Sequence, residues 1–309
     1  MRLNDQKGVF FMESLERAFY DLKFDIEFLT KTANEFQQFF NVIMSARYPG
    51  DFIATRTWGQ AGDKKCDGYI LSSGSFYQVY APDELDAKSA VKKMKDDFSS
   101  ALENWTDKIK TWVFVHNSKT GVPPHILQQL TDFKMENSDI EFTHMGKHEL
   151  KSALFEVSDM FIREILGAVP TYQDVNNLSM ESIKQTLLGI AKSTPIINST
   201  IEPVSQEKLD ANRLSAESKQ LFEVGMIKSN LIDSFFKQWH DPRLEEKTAA
   251  EMNNIYSVAV SECIDSDAVF QRILTTINGT KFGDPSSTIA ALTIMAYFFQ
   301  TCDIFEQPR

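Results

Sequence analysis

The chain has 309 residues, of which 42% are hydrophobic and 24% charged. That is the balance of a globular protein with room for two cores, and it excludes a disordered or low-complexity chain. A formal net charge of −11 is spread evenly, with 19 basic against 24 acidic side chains in residues 1–160 and 13 against 19 in the rest. It excludes a protein that coats nucleic acid through bulk positive charge, because counterion release needs clustered Lys and Arg.

In chain order, residues 9–29 are expected to be helical. Phe36, Phe39, Phe40, Ile43 and Met44 then form one helical stripe behind Thr32-Ala33-Asn34, and Tyr48-Pro49-Gly50 ends it. Residues 51–57 alternate as a strand does, 59–63 turn, 68–71 and 76–81 are two further strands, and 72–75 form the hairpin turn between them. A charged helix opens at Pro82-Asp83-Glu84 and runs to about Trp105. Residues 110–116 follow as a buried-type strand, 123–133 as a helix and 140–144 as a fifth strand. This order predicts a mixed sheet flanked by helices, an α/β domain over residues 1–150. From residue 147 onward no strand is expected. Helices are predicted at 147–167, 178–192, 206–239, 243–262, 266–278 and 285–301, with a polar segment holding two prolines at 193–205. Residues 151–205 are therefore a helical connector and linker, and 206–309 an all-helical module.

Three cysteines lie far apart with no C-x-x-C, so neither a disulfide framework nor a cysteine zinc site is implied. The N-terminal stretch is polar and carries Asp5, Glu13 and Glu16, and no secretory leader is expected there. Residues 288–299 are the most apolar run, too short for a membrane span. A cytoplasmic protein without membrane contact is the expectation. No G-x-S-x-G, Walker A or G-x-G-x-x-G motif is present, so nucleotide hydrolysis is not expected. His116 and His144, at the ends of strands, are expected to be packed or hydrogen-bonded. Two local basic patches stand out: Lys64-Lys65, and Lys88 with Lys92, Lys93 and Lys95.

The chemistry concentrates around one hairpin. Asp67 starts a strand, and ten residues separate it from Gln78, which shares a face with Tyr80 on the next strand. Antiparallel pairing brings these ends together. A carboxylate and an amide there, helped by Glu35 from the preceding helix, have the oxygen ligands Mg²⁺ takes, and such an ion polarises a phosphodiester. A structural reading stands beside this one. Asp67-Gly68 supplies turn geometry, Glu35 compensates a helix dipole, and the lysines of residues 88–95 lie on a solvated face laced with acidic neighbours.

The arrangement resembles the PD-(D/E)xK nuclease superfamily, in particular its Mrr-like branch, with the pattern Asp-Gly, about ten residues, then Gln-x-Lys. The resemblance covers residues 25–145 and implies a restriction-endonuclease-like fold cutting DNA with Mg²⁺. Carried over, Asp67 and Gln78 are the metal ligands and Glu35 the helix-borne Glu. The motif Lys falls at Tyr80, which is no cation at neutral pH. Either Lys65 or Lys93 takes its place, or the domain binds DNA without cutting it.

At the other end, Asp284-Pro285 is a helix start with Asp as cap and Pro in the first turn. Ile289, Leu292, Met295, Ala296 and Phe299 mark one apolar face, while Ala291, Ile294 and Phe298 lie off it, so the helix needs neighbours on two sides. The run from 284 to 308 looks like the C-terminal helical module of ABC-three-component conflict-system proteins. That resemblance implies a prokaryotic defence role against phages or mobile elements, with an ABC-type ATPase or another system component as partner. A homo-oligomer stands as another possible way of covering the apolar helix.

Overall fold

The computed structural model describes residues 14–55, 66–191, 214–263, 265–279 and 284–301. Contacts group the chain into two compact units, Lys23–Ile165 and a second made of Met1–Leu22 with Leu166–Arg309. Among the described residues no helix is long and apolar enough to cross a membrane.

The first unit is organised by five strands, β1 (Phe52–Ala54), β2 (Gly68–Ile70), β3 (Ser75–Tyr80), β4 (Thr111–His116) and β5 (Glu141–Met145). They lie in the sheet in sequence order. The first three pair antiparallel and the last three parallel. The connections dictate this. β2 and β3 are joined by a tight turn in which Gly74 takes φ +70° and donates its N–H to the Ile70 carbonyl at 3.0 Å. A positive φ there favours glycine, and the space agrees, since a Cβ on Gly74 would sit 2.8 Å from Lys110 Cγ. Parallel neighbours need long crossovers, which α3 (Ala87–Trp105) supplies between β3 and β4 and α4 (Pro124–Glu136) between β4 and β5.

Alternation gives each strand two faces. Phe76, Trp112 and Phe114 pack with Met94 and Phe98 of α3 and with Leu130 and Phe133 of α4. Tyr77 meets Phe40 of α2 (Ala33–Arg47) at 5.5 Å between ring centroids, and Phe52 meets the same ring at 5.8 Å. The five apolar residues expected to form the α2 stripe are the five that α2 buries together. On α1 (Ser14–Thr30), Phe24 packs tilted against Phe39 and Phe28 edge-on against Phe36. The unit closes with α5 (Lys147–Phe155) and most of α6 (Asp159–Leu166). These two replace the single helix expected over 147–167. Ser158 carries the carbonyl that accepts from both Phe161 and Ile162, so it opens a new helix where Ser is a favoured first cap.

The second unit is helical: α7 (Tyr172–Asn176), α8 (Met180–Ala191), α9 (Ala216–Met226), α10 (Ser229–Gln238), α11 (Leu244–Glu262), α12 (Ser266–Asn278) and α13 (Pro285–Thr301). The helix expected over 206–239 is interrupted after Met226, whose carbonyl accepts the Ser229 hydroxyl at 2.9 Å, a local bond that competes with the helix ladder. Residues 206–213 lie outside the described residues. Asp284 does cap α13, accepting the Ser287 N–H at 2.8 Å. Ile289 to Phe299 are buried without interruption, and α7 through α12 surround them. Phe298, off the principal face, is fully buried against Phe236 of α10, and Phe299 meets Phe222 of α9 at 4.4 Å. Burying one such ring contributes about 1.5–3 kcal/mol. Both rings are therefore covered from within the chain, not by a partner. Phe305 lies outside the described residues.

Close packing around α13 leaves no room at one point. A Cβ on Gly225 would sit 2.8 Å from the Ala296 Cβ and 2.8 Å from the Leu292 carbonyl oxygen. Gly225→Val is expected to destabilise the helical unit by about 1–3 kcal/mol, the usual cost of overpacking. Urea unfolding followed by far-UV circular dichroism checks this, and an unchanged midpoint would show that α9 and α13 separate freely.

Candidate functional site

Asp67 stands at the end of β2, where its N–H donates to the Tyr77 carbonyl at 2.9 Å and its own carbonyl accepts from Thr55. The side chain is only 4% exposed. A carboxylate so buried has to be compensated by donors, and from the described residues Gln78, Val79 and Gln37 supply them. Gln78 Nε2 and the Val79 N–H both donate to Oδ2 at 2.7 Å, and Gln37 Nε2 donates to Oδ1 at 2.8 Å. The hairpin register explains the first two, since Gly68 faces Tyr77 and the next step puts Asp67 beside Gln78. The third comes from α2.

Asp67 and Gln78 thus meet as the sequence led us to expect. Glu35 does not join them. It is exposed and lies two residues from Gln37, about 200° round the helix at 100° per residue. The α2 residue turned towards Asp67 is Gln37. Lys93 is engaged elsewhere, with Nζ 2.7 Å from Oδ2 of the fully buried Asp97 one helical turn away. Lys65 lies outside the described residues. Tyr80, at the motif-Lys position, is half-buried with its ring 6.2 Å from that of Phe114.

The donor set does not fit Mg²⁺. It offers one carboxylate whose two oxygens both accept N–H bonds. Among the described residues no group of three or more His, Cys, Asp or Glu is placed to hold a metal ion. Gln78 is also held the wrong way round. Its NH₂ faces Asp67, and its buried Oε1 has no partner among the described residues. Turning the amide over would set that oxygen against the carboxylate. Gln37 was missed because residue type drew attention to Glu35. The available signal was phase, since Gln37 sits three and seven residues from Phe40 and Met44, half-buried at the edge of the stripe.

A second polar centre lies at the C-terminal ends of the parallel strands. His116 of β4 and His144 of β5 stack with ring centroids 5.5 Å apart. His116 is 1% exposed, and its Nδ1 accepts the Ser118 N–H at 3.2 Å. Glu149 of α5 accepts the Gly146 N–H at 2.9 Å and stands 4.0 Å from His144 Nδ1. Desolvation first, and the neighbouring His144 second, push the His116 pKa down to about 4, with Glu149 opposing them.

Two outcomes follow. Asp67→Ala would leave two carboxamides and one backbone N–H without their shared acceptor, and is expected to cost about 2–4 kcal/mol of stability. Chemical denaturation checks this, and a variant as stable as the wild type would show that Asp67 is not structural. Acidification should also weaken the fold through His116. The unfolded imidazole takes up a proton near pH 6.5, whereas the folded one resists to about pH 4. The stability contribution is therefore full above pH 6.5, and falls as the pH drops towards 4 by at most about 3 kcal/mol. Unfolding midpoints at pH 7.5 and 4.5 measure it, and His116→Asn should flatten the difference.

No curated protein and no solved structure matches this chain. Residues 180–306, which include all of α8 through α13, match the family model of C-terminal domain 10 of the ABC-three component (ABC-3C) systems.

Proposed function

We propose that this chain is a component of a prokaryotic defence system of the ABC-three-component kind. Its helical unit engages a companion protein, an ABC-type ATPase foremost. Its α/β unit is a catalytically silent, restriction-endonuclease-like fold that binds DNA without cutting it. The family match of residues 180–306 supports the first part. A single observation carries the second: both oxygens of the one carboxylate of the nuclease-like motif accept N–H bonds, and the α2 side chain that reaches it is the carboxamide of Gln37, not a second acidic ligand.

The DNA surface in this reading is the outer face of α3. Lys88, Lys92 and Lys95 are exposed and spaced four and three residues apart, so they share one face, while Lys93 is held by Asp97. Contacts of that kind position a protein on phosphates without reading sequence. The active-endonuclease reading has one observation in its favour, the meeting of Asp67 with Gln78.

Supercoiled plasmid incubated with the purified chain and Mg²⁺ or Mn²⁺ separates the two. The expected result is retardation of the DNA in a gel with no nicking above an Asp67→Ala control. The combined variant Lys88→Ala, Lys92→Ala, Lys95→Ala should lose the retardation. Metal-dependent cleavage that disappears in the Asp67→Ala variant would establish the endonuclease instead.

A further inference from the structure

A pocket of about 290 Å³ opens where β4 and β5 end, between the segment leading into α4 and the start of α5. Its position is the one at which open sheets with parallel strands receive ligands, outside the carboxyl ends of the strands. The walls carry His116, Lys119, His144, Gly146, Lys147 and Lys151, with Glu149 as the only carboxylate among the described residues. None of these residues takes part in the Asp67 centre.

Two independent features point to an anion. The first is an unpartnered donor. Because His116 Nδ1 accepts from Ser118, the neutral ring carries its proton on Nε2. That atom is buried and has no partner among the described residues. It lies beside the residue before α5, as a Cβ on Gly146 would sit 3.2 Å from it. The second is the setting. The N-terminus of α5, a helix of nine residues, opens here with its positive dipole end. Lys147 and Lys151 are held side by side by one carboxylate, Asp25, at 2.9 and 2.7 Å. Lys119 is exposed and brings a further positive charge. Glu149 is the opposing charge, and its Oε2 accepts the Gly146 N–H.

We propose that this pocket binds a phosphate group, carried by a mononucleotide or by the end of a nucleic-acid strand, with His116 Nε2–H and Lys119 as its principal donors. Phosphate oxygens accept from such donors in charge-assisted bonds. The proposal is independent of what Asp67 does.

Titration of the full chain in EDTA, followed by the histidine ring signals in NMR, tests it. Inorganic phosphate, adenosine monophosphate, and one oligonucleotide with a 5′-phosphate or a 5′-hydroxyl serve as probes. Inorganic phosphate is expected to shift the His116 and His144 rings saturably, at a dissociation constant in or below the range of about 1 mM. His116→Asn keeps an acceptor for the Ser118 N–H and removes Nε2, and should weaken binding about tenfold or more. Lys119→Ala, an exposed position with no folding role in view, should weaken it about threefold. Tighter binding of the monophosphate, or of the phosphorylated over the hydroxyl oligonucleotide, supports the site and identifies its source. The absence of a saturable shift, or an affinity that neither variant changes, overturns the proposal.

Discussion

The α/β unit turns on a single buried carboxylate. Taking the Asp67 charge out of water is unfavourable by several kcal/mol unless donors replace the lost hydration. The fold supplies them from two different elements, the backbone and side chain of β3 and the side chain of a glutamine on α2. Asp67 thereby pins α2 to the place where β2 and β3 separate. This structural duty competes with a catalytic one. A metal ligand needs lone pairs turned towards an ion, whereas the oxygens of Asp67 are turned towards N–H groups.

The sheet explains why a second polar centre exists at all. Three antiparallel strands give way to parallel ones at β3, and from there on each strand needs a helical crossover. The crossovers leave the C-terminal ends of β4 and β5 side by side. In the register, Phe114 stands opposite His144, and Tyr80 opposite His116. Two imidazoles that are 28 residues apart in sequence therefore become stacking neighbours. Burial keeps one of them neutral, and the α5 N-terminus is set against it. Hydrogen-bond donors without acceptors are rare inside proteins, and among the described residues His116 Nε2 is one.

Local chemistry made much of this legible beforehand. Gly74 followed from turn chemistry, the α2 stripe from spacing, Asp284 from capping preference and all five strands from alternation and β-branched or aromatic content. What depended on distant partners was not. The choice between Glu35 and Gln37 is a question of helical phase against a strand thirty residues on, and residue type alone favoured the wrong one. Helix interruptions at Ser158 and Ser229 come from single side chains and carbonyls within an apolar spacing that runs on across them. The pairing of His116 with His144 is set by parallel register, which no short-range pattern records.

The helical unit poses the opposite case, a segment whose sequence demanded cover without naming its source. A helix that is apolar all round must be enclosed, and α13 is enclosed by the helices of its own unit, closely enough for Gly225 to lie against its backbone. An internal α13 has no apolar face left to offer a companion protein, because Phe298 and Phe299 are already buried against Phe236 and Phe222. In the reading proposed above, recognition of a companion protein falls to the outer surface of this unit. That surface carries exposed apolar side chains singly, among them Val258 and Val260 on α11 and Ile227 in the turn between α9 and α10. Interfaces that form and part reversibly are about as polar as the rest of a protein surface. A surface of that kind suits a component that meets its partner after folding on its own, and the self-contained core around α13 is what makes such folding possible.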